Sequence, residues 1–311
     1  MIELTEVSKS FGSARAVCEV SFSLEPGTIT GFLGPNGAGK TTTMRLITGY
    51  LAPDQGKITI QGQEHHKQGV ALRACMGYLP EHTPLYGDLT VLEHLRLTGQ
   101  LLGLSGKQLR QAVTKMVRIC DLGERMKQTV GTLSRGLRQR VGLAQAMIHD
   151  PDILILDEPT TGLDPNQTAE IKDLIKALGQ EKTLLLSTHI LEQVPELCDR
   201  VLVLSKGRLV FNGSPGDWAE AGSTPTQSIL VVDREREEVA ALLTPLAPVE
   251  GIHQVKREGG FVHYRLNGSF DGDDMAAIFA VLAETSWRIS AFHAEPPSLA
   301  AIFAGQTTGE T

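Results

Sequence analysis

Gly34-Pro35-Asn36-Gly37-Ala38-Gly39-Lys40-Thr41 satisfies the pattern G-x-x-x-x-G-K-[ST] in full. The glycines let the backbone curl so that several N–H groups point inward, and a helix opening near Lys40 aims its positive end at the same spot. Lys40 then reaches the β- and γ-phosphates of a nucleoside triphosphate, and the Thr41 hydroxyl is placed to hold Mg²⁺. Pro35, Asn36, Ala38 and the following Thr42 complete the nucleotide-contacting stretch. The flanks agree with the loop. Residues 28–33 (Thr-Ile-Thr-Gly-Phe-Leu) read as a short apolar strand, and Met44, Ile47 and Leu51 follow at helical spacing before Pro53. Strand, loop and helix in that order predict an α/β fold around a parallel sheet.

Residues 151–158 (Pro-Asp-Ile-Leu-Ile-Leu-Asp-Glu) form an apolar run ending in two carboxylates. A buried parallel strand delivers such acids to its C-terminal edge, beside the phosphates. Asp157 is expected to hold Mg²⁺ through water, and Glu158 to polarise the attacking water. Between the two sites lies Leu133-Ser134-Arg135-Gly136-Leu137-Arg138-Gln139-Arg140, opening a helix. Ser134 and Gly136 there offer a hydroxyl and an unhindered backbone N–H, a second surface for phosphate.

With these three stretches in order, residues 1–215 resemble the ATP-binding subunits of ABC transporters. Residues 133–140 are similar to the signature motif of that family. The resemblance implies an ATPase built on a RecA-like core with an antiparallel β lobe and a helical lobe. It makes Asp164 the D-loop residue, His189 the switch histidine that steadies the γ-phosphate, and Phe11 the ring that stacks on adenine. Glu81 falls where the family has its Q-loop glutamine, so a carboxylate replaces an amide near the phosphates and cannot donate when ionised. Arg135 and Leu137 also depart from the usual Leu-Ser-Gly-Gly-Gln. Arg135 either adds charge-assisted contacts or faces solvent. These departures resemble the branch that serves ABC-2-type export permeases, including the gliding-motility-associated subunits.

The same resemblance implies two partners. One P-loop and one signature per chain call for a second copy, with two equivalent ATP sites in a homodimer. A separate permease crosses the membrane, its cytoplasmic helix gripped by the helical lobe that begins after Glu81. No apolar stretch reaches the eighteen or so residues that span a bilayer, and residues 1–12 enter a strand with no signal-peptide pattern. The expected location is therefore cytoplasmic, at the inner face of the membrane. Cys18, Cys75, Cys120 and Cys198 are scattered, as in chains kept reduced. Gln63-Glu64-His65-His66-Lys67 reads as a polar surface loop rather than a metal site.

Residues 1–218 are assigned to the cassette, 219–226 to a linker, and 227–311 to an accessory domain. Strands over 228–232, 252–256, 262–266 and 287–293, with helices carrying Val239–Leu246 and Met275–Leu282 residues between them, give βαββαβ, a small α+β ferredoxin-like domain. Glu258-Gly259-Gly260 signals its hairpin. From 226 to 311 there are six Lys and Arg against twelve Asp and Glu, so −6 of the chain's net −7 lies there. That charge argues against binding of nucleic acid or anionic lipid at this domain. Its expected role is to brace the dimer or stabilise the chain, with ligand sensing or permease contact as alternatives. The alternative for the whole chain is a cytosolic ABC ATPase regulated by a ligand at this domain. Ribosome-acting relatives carry two cassettes in one chain, and repair ATPases insert a long coiled coil between P-loop and signature. Neither fits here.

Overall fold

A computed structural model describes residues 2–64, 74–188, 194–221, 227–246, 248–268, 270 and 272–295. The chain divides into two compact units, residues 1–215 and 216–311. The helix Pro215–Ala221 carries residues 219–221, so the stretch expected to be linker is helical at its start, and 222–226 lie outside the described residues.

In the first unit, β1 (Ile2–Phe11), β2 (Ala14–Leu24), β4 (Gln55–Ile60) and β5 (Gln63–Glu64) form an antiparallel sheet of order β2-β1-β4-β5. Alternation in β1, where Ile2 and Leu4 are buried and Glu3 exposed, turns one face to the core. The second sheet has order β10-β9-β3-β8-β7-β6. Its parallel members are β9 (Arg200–Ser205), β3 (Ile29–Leu33), β8 (Thr183–Thr188), β7 (Ile153–Asp157) and β6 (Met76–Leu79), and β10 (Arg208–Gly213) runs antiparallel at one edge. Every residue of β3, β7 and β8 is buried, which is why these strands read as continuous apolar runs.

Helix α1 (Lys40–Ile47) leaves the end of β3. The helical lobe holds α2 (Val91–Leu101) and α3 (Gly106–Ile119), parted by a turn in which Gly103 takes φ +88°. Thr90 and Glu93 close a capping box on α2, each side chain bonded to the other's backbone N–H. Leu102, the C-cap of α2, is 46% exposed because the helix has already ended. Helices α4 (Arg135–Met147), α5 (Pro165–Gly179) and α6 (Val194–Leu197) follow.

Beyond α7 (Pro215–Ala221), the second unit runs β11 (Gln227–Val232), α8 (Arg236–Leu243), β12 (Gly251–Glu258), β13 (Phe261–Asn267), α9 (Gly272–Ala283) and β14 (Ile289–Glu295). All pairings are antiparallel, in the order β12-β13-β11-β14, which is the ferredoxin-like arrangement read from the pattern. Gly259 and Gly260 make the two-residue hairpin with φ +58° and +81°, values at which a side chain is strained. Leu230, Tyr264, Leu266, Phe270 and Ile278 fill a core of its own. Residues 296–311 lie outside the described residues.

Candidate functional site

Four neighbouring strands of the parallel sheet, in the order β3-β8-β7-β6, end on the same edge and supply the site in turn. Beyond β3 comes the glycine-rich loop. Gly39 caps α1 with φ +106°, and a side-chain carbon there would collide with the Ala16 carbonyl, so only glycine fits. Beyond β6 comes Glu81, exposed; β7 ends in the buried Asp157 and the half-buried Glu158; β8 contributes Ser187.

A cleft of about 540 Å³ is lined by Gly37, Lys40, Thr41, Glu81, Asp157 and Glu158, with Pro35, Asn36, Gly39 and Thr161 at its margin. Gly34 and Ala38 are buried behind the loop, and Thr42 is half-buried on the first turn of α1. The Lys40 ammonium is 7% exposed and donates to the carbonyls of Gly34, at 2.6 Å, and Pro35, at 3.3 Å. Burial pulls its pKa below the usual lysine value, and the carboxylates of Glu158, Asp157 and Glu81 partly oppose that. A cation held this way can pass from weak carbonyl acceptors to a phosphate at small cost.

Ser187 is the organiser that motif reading missed. It stands opposite Asp157 in the register of β7 and β8. Its Oγ donates to Asp157 Oδ1 at 2.6 Å and accepts from the Glu158 backbone N–H at 2.9 Å. Glu158 is in the left-handed region, φ +52°, which turns its side chain out of the strand direction. The Thr161 hydroxyl then donates to Glu158 Oε2 at 2.8 Å. The remaining oxygen, Asp157 Oδ2, is buried without a hydrogen-bond partner among the described residues. An orphaned carboxylate oxygen across the cleft from Thr41 fits the demand of a hard cation such as Mg²⁺ for oxygen ligands. The signal for Ser187 was a hydroxyl closing an otherwise apolar strand; its meaning depended on which strand lies alongside.

The signature stretch lies elsewhere on the chain and does not line this cleft. Ser134 is exposed and caps α4, its Oγ accepting from the Leu137 N–H at 3.3 Å. Gly136 is buried, and a side-chain carbon there would meet the end of the Gln167 side chain. Arg135 is not merely in solvent, since its guanidinium packs on Gly162. Asp164 caps α5, accepting from the Gln167 N–H at 2.9 Å, so the 159–167 turn and the start of α4 interlock. Phe11 ends β1 with its ring 51% exposed and Lys9 Nζ at 5.9 Å from the ring centroid, leaving a face open for stacking. His189 lies outside the described residues, one position past the end of β8. His65 and His66 lie outside them also, and no cluster of metal-ligating side chains occurs among the described residues.

A second, more apolar groove of about 570 Å³ opens between the sheet and the helical lobe. It is lined by Tyr50, Tyr78, Leu101, Leu102, Gln145 and His149, among others. The Tyr50 and Tyr78 rings are 5.8 Å apart, and burial first of all raises the Tyr78 phenol to about 12. No helix among the described residues is long and apolar enough to cross a membrane.

Comparison with known proteins gives consistent matches. The family model described as ABC transporter matches residues 17–161. The Nod factor export ATP-binding protein I of Paraburkholderia xenovorans is 40% identical over 215 residues, 69% of this chain and 71% of that protein. The ABC transporter ATP-binding protein NatA of Bacillus subtilis is 39% identical over 220 residues, 69% of this chain and 89% of that protein. A solved structure of an ATP binding subunit of an ABC transporter aligns at TM-score 0.65 and 30% identity, covering 71% of this chain and 92% of its own.

Proposed function

Because this chain belongs to the ATP-binding subunits of ABC transporters and is an ATPase, we propose that two copies of it power export through a separate ABC-2-type membrane permease. The observation that carries the reading is the division of labour within one chain. Lys40, Asp157 and Glu158 share a cleft that Ser134 and Gly136 do not line. A signature that does not line its own cleft can serve the cleft of a second copy, and two such exchanges close a symmetric dimer. The direction of transport follows the Nod factor export relative. The cargo does not, because in this architecture the permease selects it.

ATP enters with its triphosphate on the loop N–H groups and Lys40, and its adenine on Phe11. Ser134 and Gly136 of the second copy then cover the γ-phosphate, with Gln167 moving off Gly136 to free the amide. Thr41 and Asp157 are the residues that would hold Mg²⁺, which when bound neutralises charge on the β- and γ-phosphate oxygens. Glu158 takes the proton of the attacking water, held in place through its backbone by Ser187 and through Oε2 by Thr161. His189 steadies the γ-phosphate, as the family resemblance implies. Glu81 sits between the ATP cleft and the helical lobe, where it can report the state of the phosphates. Cleavage removes the bridging γ-phosphate and the copies part, so the chemistry works a two-state interface. The apolar groove beside Tyr50 and Leu101 is the surface that takes a cytoplasmic helix of the permease, which holds the ATPase at the inner face of the membrane. The second unit, with its separate core, braces the pair.

Light scattering on Glu158→Gln tests the reading. The variant is expected to bind ATP, to become dimeric with it, and to hydrolyse it at least a hundredfold more slowly. Undiminished turnover would remove Glu158 from the mechanism. A variant that binds ATP and stays monomeric would remove the two-copy sandwich.

A further inference from the structure

Helix α3 is amphipathic in an unusual way. Leu109, Val113, Met116 and Val117 are buried, and the opposite face carries Lys107, Arg110, Lys115 and Arg118 with no carboxylate anywhere on the helix. These side chains, with Gln111 and Thr114, line a shallow surface groove of about 510 Å³ formed by this helix alone. An ordinary solvated helix face mixes signs, as α5 does with Glu170, Lys172, Asp173 and Lys176. Asp150 is the carboxylate that reaches the stripe, and it binds Lys115 at 3.1 Å while also holding Lys182 at 2.9 Å. Lys107, Arg110 and Arg118 make no ion pair with any described residue.

The placement of these charges is as telling as their number. Arg118, in the last turn, complements the helix dipole. Lys107 does the reverse. It lies in the first turn, where the N–H groups are already positive, where there is no acid, and where Ser105 makes no side-chain cap. A cation there costs local stability and repels Arg110 one turn on, so an external anion is its natural complement. A single-signed basic face with unpaired cations complements the anionic surface of phospholipid headgroups.

The geometry points to the basic face of α3 as a contact for anionic phospholipid, with Lys107, Arg110 and Arg118 on the headgroup phosphates. It rests on the membrane-side placement proposed above, but needs neither nucleotide nor permease to be observed. Each cation strengthens partitioning onto an anionic surface about fivefold, so three give about a hundredfold. That gives a reversible, salt-sensitive association of a chain of net charge −7 rather than a permanent anchor. It suffices to orient one already tethered by a partner.

Flotation of the full chain with vesicles decides the matter, comparing pure phosphatidylcholine with phosphatidylcholine mixed with phosphatidylglycerol, at low and high sodium chloride. The wild type is expected to float with the anionic vesicles, to be released by salt, and to ignore the neutral ones. Lys107→Glu, Arg110→Glu and Arg118→Glu together are expected to lower the partition coefficient about a hundredfold or more, with ATP hydrolysis unchanged. Lys107→Gln with Arg110→Gln serves if the triple variant folds poorly, and is expected to lose about 25-fold. Equal binding to both vesicle types, or variants that float like the wild type, would overturn the inference.

Discussion

Ser187→Ala removes one oxygen and breaks two bonds at the centre of the ATP cleft. The Asp157 carboxylate, 1% exposed, loses the hydroxyl at 2.6 Å that is its partner on Oδ1. Its other oxygen already has no partner among the described residues, so the whole carboxylate is left without a donor. A hydrogen bond to a buried charge contributes about 1.5–3 kcal/mol, and the Glu158 N–H left behind costs about 1 kcal/mol more. The expected loss is about 3 kcal/mol in the 215-residue first unit. For a unit of that size this lowers Tm by about 6–12 °C. Both tryptophans, Trp218 and Trp287, belong to the second unit, so their fluorescence will not follow the change. Calorimetry, or circular dichroism read against tryptophan emission, separates the two transitions. Turnover should fall about 10–100-fold, the usual effect of removing the partner of a metal-binding carboxylate. Ser187→Thr keeps the hydroxyl while crowding a fully buried site, so it should lose stability but retain most turnover. The reasoning is refuted if Ser187→Ala melts within about 2 °C of the wild type and hydrolyses ATP at a similar rate.

Three further outcomes follow from the same geometry. Gly39→Ala meets both a φ of +106° and the Ala16 carbonyl, so it should destabilise the first unit by more than about 1 kcal/mol and abolish ATP binding measured by calorimetric titration. Phe11→Ala should weaken ATP about tenfold with little change in melting, because the ring is already half in solvent. Lys40 has a folded pKa below its unfolded 10.5, so the folded state binds fewer protons than the unfolded one as pH approaches that value. Stability contributed by Lys40 therefore rises from the folded pKa up to about 10.5, and urea melts should show the wild type gaining on Lys40→Met across that alkaline window. A gap that stays constant would contradict the burial of the ammonium.

Asp157 and Glu158 were legible because a fully buried parallel strand must be apolar throughout, so the first carboxylates after it mark its edge. The hairpin at Gly259-Gly260 was equally plain, since two adjacent residues at positive φ demand glycine or something close to it. The helical lobe was less so. Its apolar spacing runs on through the Gly103 turn, and periodicity alone cannot see a helix end when the next one restarts in phase. At the signature, composition left the neighbours of Gly136 and Arg135 undecided. The answer came from Gln167 and Gly162, which approach from another turn of the chain.

The amino-acid order alone therefore determined what is local: the glycine-rich curl of the phosphate loop, the hairpin at Gly259-Gly260 and the acids at the end of β7. Those features depend on sterics and hydrogen bonds within a few residues, and short stretches encode them completely. Tertiary structure alone decided which of them meet. Strand β3 lies beside β8 rather than beside β7, so Ser187, thirty residues after Asp157, becomes its partner. The crossover connections of a parallel sheet permit several lateral orders of the same strands, and packing of whole faces chooses among them. That choice leaves no mark on any single strand's sequence.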